Sequence, residues 1–475
     1  AVSFPGNIFI RSTSIAVNAA VQATGAGHVA LLTNDSGAAA DGITLNASVG
    51  AANGTVTVSA DDNLVQNADI TVTGSNDIVL ISFRAAISMS VSATTLTGTG
   101  DVGYSAPSGG VSLGNIATGG DLIVLSAGAT AITDANGAAM NITASRARLL
   151  AGTGIGSADA LETAVRDLAA STSGNIQLAN TGPLNITTVS VAVSTPFASI
   201  SGGSTQGVAT FPGNVTISAD AITLTQAVVG AFTTRLTATT GAIIDNNGSA
   251  DNIQGGAAIL SAATGIGGGD ALETGLTFLE AQTGTGGNHI ANNRALTIGG
   301  ISALVGVSAA RGDIAVSAAS PLQVAENVNT GAGNITLTAG ETDDDPFCSD
   351  DLTVNAGVAV QAGAGSITLN AGDDIILGAG SALNAAASVE LNAGFNDLDN
   401  CGDFVDSGAT IAVGADLAIC VIGNLSVGGY SANGTVSLRS QNGAILDGDG
   451  SALNITGAAA ALKANTGVGA FDSLE

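Results

Sequence analysis

Tryptophan is absent from this chain of 475 residues, aromatic residues make up 3% and charged residues 10%. An ordinary soluble domain carries roughly 25% charged residues, so a helix-rich globule with an ion-paired surface is excluded. Basic side chains are scarcest: 10 Lys and Arg face 38 Asp and Glu, and Lys463 is the only lysine. The formal charge of -28 repels phosphate backbones, which argues against nucleic acid and in favour of divalent cations. No run of about 18 residues is apolar enough to span a bilayer, so membrane insertion is not expected. Three cysteines, at 348, 401 and 420, fit no zinc spacing. Disorder is excluded by a hydrophobic content of 45%, and collagen by the lack of a glycine at every third position. The start, Ala1-Val2-Ser3-Phe4-Pro5, has neither an initiating methionine nor a signal-like segment. It reads as a mature or trimmed chain, or a window of a longer one.

What the chain has instead is glycine, 67 residues of it, and repetition. On a short scale, 334–340 read NITLTAG, 366–372 SITLNAG and 388–394 SVELNAG. Apolar residues alternate with small polar ones, which is strand periodicity, and Gly-Ala, Ala-Gly and Asn-Gly punctuate the strands. On a long scale a sentence recurs: AGTGIGSADALET at 151, AATGIGGGDALET at 262 and ANTGVGAFDSLE at 464. Each follows a related phrase: ITDANGAAMNIT at 132, IIDNNGSADNI at 243 and ILDGDGSALNIT at 445. Short strands recurring every twenty-odd residues predict a solenoid in which one repeat makes one coil. At a strand spacing of about 4.8 Å, roughly 20 coils would make a rod on the order of 100 Å long. Asn370 and Asn392, at the same corner of successive coils, are placed to stack as an amide ladder. The segments LETAVRDLAAS (161–171) and LETGLTFLEAQ (272–282) also fit a helical spacing. They read either as short helices or loops, or as a coil with a bulged strand.

The phrases GNITLTAG, SITLNAGDDIILGAG and SVELNAG resemble coils of filamentous-haemagglutinin-like and other giant bacterial β-strand-repeat surface proteins. The segment 153–186, TGIG…DALET…LAASTSGNIQLANTGPLNI, is similar to one recurring in such proteins. The resemblance covers nearly the whole chain. It implies an all-β fold, a right-handed parallel β-helix of about 20 coils, secretion to the bacterial cell surface, and a role in adhesion, biofilm or surface structure. The family's N-terminal secretion domain is not recognisable here. The domain reading is one continuous solenoid over 1–475, a segment or subunit of a longer assembly, with acidic Cys-containing insertions at 341–351 and 395–407.

Those insertions carry the sharpest local signal. They read ETDDDPFCSDD and FNDLDNCGDFVD, and both follow an Ala-Gly corner; the corner between them carries Asp373-Asp374. No lysine or arginine occurs from 312 to 438, while thirteen acids, Asp406 among them, fall between 341 and 406. Stacked corners bring such charges within about 5–10 Å of each other, which is unfavourable without counter-ions. Oxygen ligands in loops suit Ca²⁺. The candidate ligands are Asp343, Asp344, Asp345, Asp350, Asp351, Asp373, Asp374, Asp397, Asp399 and Asp403. No EF-hand or tandem calcium-repeat motif is present, and a solvated acidic rim is the alternative. Cys348 and Cys401, in matching loops, form the expected disulfide in an oxidising compartment. Cys420, within Leu417-Ala418-Ile419-Cys420-Val421-Ile422, reads as a small core residue. Arg311-Gly312-Asp313 reads as the opening of a strand rather than a receptor ligand.

No catalytic residues are identified, and a chain without tryptophan and with a single lysine is poorly equipped to build a glycan-cleaving cleft. The favoured function is an extracellular structural protein forming a cell-surface filament, stalk or matrix fibre. Its partners are further coils, end to end or within a longer chain, and cell-surface or matrix components. An adhesin stalk binding host cells, surfaces or glycans is the alternative, and a polysaccharide-degrading β-helix enzyme is the least favoured.

Overall fold

The computed structural model describes residues 1–34, 41–126, 130–342, 348–450, 452–469 and 473–474. Among them there is no helix, and so none long and apolar enough to cross a membrane. The chain is a parallel β-solenoid of about 20 turns. It divides into two compact units, Ala1–Thr237 and Ala238–Glu475.

In both units a coil consists of three short strands, and each strand pairs in parallel with its equivalent one coil on. The inward positions therefore stack in rows. In the first unit one row runs Ile8, Val29, Val56, Ile78, Val102, Leu122. A second runs Ile15, Ile43, Leu64, Ile87, Val111, Ile132. In the second unit the rows include Ile314, Ile335, Ile367, Val389, Leu417, Val436. Another is Leu322, Leu352, Ile375, Phe404, Leu425, Ile445. Burying a branched aliphatic side chain contributes about 1.5–3 kcal/mol, and these rows are the core. The composition follows: a narrow interior takes Val, Ile, Leu and Ala, and little that is larger.

Among the polar residues buried in the interior, two groups stand out. In the first unit fully buried Gln66, Thr95 and Tyr104 bond to one another. Gln66 Nε2 donates to Thr95 Oγ1 (3.0 Å), and the Tyr104 hydroxyl donates to Gln66 Oε1 (3.0 Å). In the second unit Asp406 occupies an inward position stacked on Leu377. It accepts from the Tyr430 hydroxyl at 3.0 Å and from the backbone NH of Gly408 and Ala409. Its carboxyl thus belongs to the interior and not to the acidic corner with which its sequence position groups it.

The sentence segments are strands. Leu161–Thr172 is one extended strand of 12 residues, and Leu272–Gly275 and Phe278–Thr283 are strands separated by a two-residue break. An asparagine of the following coil supports each. Asn180 Oδ1 accepts from Thr163 Oγ1 and Val165 NH, both at 2.9 Å. Asn292 Oδ1 accepts from Leu276 NH at 2.8 Å. The helical alternative is therefore corrected: inter-coil pairing takes the backbone donors that a helix would use.

One departure carries no repeat signal. In the first unit, the coil between Asn175 and Asn214 is 39 residues long. The excess forms two antiparallel pairs, Thr188–Ser190 with Ser204–Gln206 and Val193–Ser194 with Ser199–Ile200. This arm lies on the outer face of the solenoid, where Val189, Val191, Val193 and Ile200 pack on Val79, Ile81, Ile123 and Ala169. Thr195 meets Thr57 (Oγ1 to Oγ1 2.6 Å), and Arg148 Nε donates to Thr205 Oγ1 at 2.8 Å. Gly103 lies under the arm, and a Cβ there would stand 2.7 Å from Ile200 Cδ1.

Two outcomes are expected. Leu369→Ala, in a filled row of the second unit, lowers stability by about 2–5 kcal/mol in denaturant titration. Gly103→Val lifts the arm, so protease cuts within 188–206 and a hydrophobic dye binds, while the far-ultraviolet circular dichroism stays β-rich.

Candidate functional site

The strands Ile335–Ala339, Ile367–Ala371 and Val389–Ala393 stack in register. Each turns a corner into Leu352–Val354, Ile375–Leu377 and Phe404–Asp406, which also stack. The two acidic insertions leave the first and third of these corners and flank Gly372-Asp373-Asp374 on the second. Cys348 and Cys401 are joined by a disulfide with their Cα atoms 5.6 Å apart. The bond brackets the middle corner and closes a loop of 53 residues, worth about 4 kcal/mol by loop-closure entropy.

The candidate ligands divide into three sets. Asp343, Asp344 and Asp345 lie outside the described residues. Asp351, Asp374 and Asp403 form a backbone-accepting ladder along one corner. Asp351 Oδ1 accepts from Asp374 NH (3.2 Å), Asp374 Oδ1 from Asp403 NH (2.7 Å) and Asp403 Oδ1 from Asn424 NH (2.6 Å). The remainder meet inside the bracket. Asp350 is 5% exposed and accepts from Thr342 NH at 2.7 Å. Asp373 is 1% exposed; its Oδ2 accepts from Asp350 NH at 2.7 Å, and its Oδ1 is buried without a hydrogen-bond partner. Asp397 Oδ1 is likewise buried and unpartnered. Asp399 Oδ1 accepts from Cys401 NH at 2.9 Å, and a carboxylate oxygen of Asp399 lies within 4.8 Å of both sulfurs.

Sequence reasoning missed Glu341 as a ligand candidate, although it opens the first insertion. Its Oε2 is a third buried, unpartnered oxygen, and a Cβ on Gly372 would stand 2.7 Å from it. Glycine at 372 thus lets the corner approach the glutamate. Burial first, and then Asp373, Asp350, Asp399 and Asp397, push the Glu341 carboxyl up to about 7. Burial, with Asp399 and Asp350 behind it, pushes Asp373 up to about 6 against the backbone hydrogen bond from Asp350. Asp374 is also raised to about 6, again chiefly by burial. Unpartnered carboxylate oxygens are the donor type that hard cations take; among the described residues the group here whose ligand atoms lie within 4.8 Å of one another is Cys348, Asp399 and Cys401.

The other residues singled out in the sequence have structural roles. Asn392 Nδ2 donates to Asn370 Oδ1 at 3.0 Å, and Asn370 Nδ2 to Thr338 Oγ1 at 3.3 Å, forming an amide ladder on the outer face. Cys420 continues that outer row, stacked between Asn392 and Arg439 and half-buried. Its assignment to the core is therefore corrected: Leu417, Ile419 and Val421 point inward, and the period of two turns Cys420 outward. Asp313 of Arg311-Gly312-Asp313 accepts from Asn334 NH one coil on, at 2.7 Å. A smaller acid group in the first unit, Asp41, Asp61 and Asp62, has Arg84 3.3 Å from Asp61.

Comparison with protein-family models, curated proteins and solved structures gave no match.

The raised carboxyls set the sign of a pH effect. Between about pH 4 and about pH 7 the folded chain holds more protons at Glu341, Asp373 and Asp374 than the unfolded chain does. Stability in chelator therefore falls as pH rises through this window. The melting temperature in EDTA should be higher at pH 5 than at pH 7.5, and Glu341→Gln with Asp373→Asn should flatten the difference.

Proposed function

We propose that the chain is an extracellular structural protein, a solenoid segment of a cell-surface filament, stalk or matrix fibre. The observation that carries this is in the second unit, where inward rows run in unbroken register past two insertions and a disulfide. Such an interior supports length and stiffness, and the chemistry sits outside it. The disulfide supports an oxidising compartment, where such bonds persist. The resemblance of the coil phrases to filamentous-haemagglutinin-like surface proteins supports the same compartment and makes an adhesin stalk the second form of the proposal. No catalysis is part of it.

Within this role, Glu341, Asp350, Asp373, Asp397 and Asp399 are the residues that would hold Ca²⁺. The ion would neutralise buried carboxylates and tie both insertions to the corner between them. At a calcium concentration of about 100 times Kd, binding adds about 2.7 kcal/mol to stability.

Two measurements test the proposal. Calcium should raise the melting temperature at pH 7.5, and Glu341→Gln with Asp373→Asn should abolish most of that rise; no shift in the unmodified protein overturns the calcium site. Negative-stain electron microscopy over a concentration series should show stiff rods, single or lengthening into fibres. Compact or flexible particles at every concentration overturn the structural role.

A further inference from the structure

The long repeated sentence recurs with its side-chain geometry as well as its residues. In its leading phrase an aspartate is followed at +2 by Asn or Asp, at +3 by Gly and at +7 by Asn: Asp134, Asn136, Gly137, Asn141, and Asp245, Asn247, Gly248, Asn252. The geometry repeats with the sequence. Asn141 Nδ2 donates to Asp134 Oδ1 (2.6 Å) and Asn136 Oδ1 (2.7 Å). Asn252 Nδ2 donates to Asp245 Oδ1 (2.6 Å), and with the Asn247 amide oriented to satisfy its neighbours, to Asn247 Oδ1 (3.1 Å). In the second unit one oxygen of the leading aspartate is therefore taken, and the other faces elsewhere.

The asparagine then fixes the glutamate of DALET one coil on. Glu162 NH donates to Asn141 Oδ1, and Glu273 NH to Asn252 Oδ1, both at 2.9 Å. Before each glutamate, Gly156 and Gly267 adopt φ of +59° and +61°. Cβ atoms there would stand 2.4 and 2.2 Å from carbonyl oxygens of the next coil. Both copies thus fold the same tight turn and bring Asp159 or Asp270 toward the glutamate. In each copy the glutamate Oε2 is buried without a hydrogen-bond partner. Asp245 is itself only 9% exposed, and its Oδ2 is buried and unpartnered as well. Burial first, and then Asp134 and Asp159, raise the Glu162 carboxyl; burial, and then Asp245, Asp270 and Asp251, raise that of Glu273.

From this recurrence we infer that the sentence is a cation-binding element. A divalent hard cation, calcium by its all-oxygen donor set, would be held by Asp245 Oδ2 and Glu273 Oε2 in the second unit. The equivalent site in the first unit uses Asp134 and Glu162. The sentence then recurs because each copy carries an ion that draws one coil onto the next. In the third copy Asp472 and Glu475 lie outside the described residues. These sites are separate from the disulfide-bracketed corner and do not depend on it.

Equilibrium dialysis of the full chain against radioactive calcium at pH 7.5 tests the inference. Asp245→Asn with Glu273→Gln should remove one bound ion per chain, and Asp134→Asn with Glu162→Gln one more. Glu341→Gln with Asp373→Asn should subtract only the ion of the bracketed corner, so the two proposals fail separately. Unchanged stoichiometry in the first two double variants, with β-rich circular dichroism retained, overturns the inference. If those variants do not fold, crystals of the unmodified protein soaked in a lanthanide decide. Anomalous peaks beside Glu162 and Glu273 support the inference, and their absence overturns it.

Discussion

The inter-coil hydrogen-bond ladder is the constraint on which everything else in this chain depends. Parallel pairing places each residue about 4.8 Å from its equivalent in the next coil. A coil cannot choose its contents independently: whatever it points inward, outward or at a corner is stacked on the same position of its neighbours. Aliphatic rows follow for the interior, and ladders follow for the corners. An acid at a corner is tolerable because the backbone NH one coil on is there to meet it, as for Asp374 with Asp403 NH and Asp313 with Asn334 NH.

The same rule separates structural acids from candidate functional ones. Asp351, Asp374 and Asp403 each give an oxygen to a backbone NH, as an asparagine would. Glu341, Asp373 and Asp397 each retain a buried oxygen that nothing donates to. Acid content alone does not distinguish the two sets, but the donors do. Burial of such oxygens is unfavourable in either ionised or unpaired form, and a cation or a proton relieves it. The insertions and the repeated sentence pose the same electrostatic problem in different backbone settings, one closed by a disulfide and the other by an asparagine.

The solenoid was legible because repetition is itself the fold. NITLTAG, SITLNAG and SVELNAG stack residue for residue, and the Asn370–Asn392 ladder falls where the period puts it. What was not legible breaks the period or depends on phase. The arm at 188–206 has no counterpart one coil away, and only the excess length between Asn175 and Asn214 announces it. Cys420 lies on the outer face although a run of apolar residues surrounds it, because such a run hides which alternate positions face inward. Asp406 entered the interior because Tyr430, a coil later, supplies a donor that no local pattern reveals. The helical spacing of LETAVRDLAAS gave way because extended pairing with both neighbouring coils outweighs a local preference.

A solenoid has no single closing contact, so it opens as a zipper does, one turn at a time from a free end. The bond between Cys348 and Cys401 ties a coil to the next but one. A fraying front that reaches it can no longer detach a single turn; it must release three together, with the buried acids of the middle corner between them. The disulfide therefore divides the second unit into a part that can peel and a part behind a stop, and reducing agent would convert the second into the first.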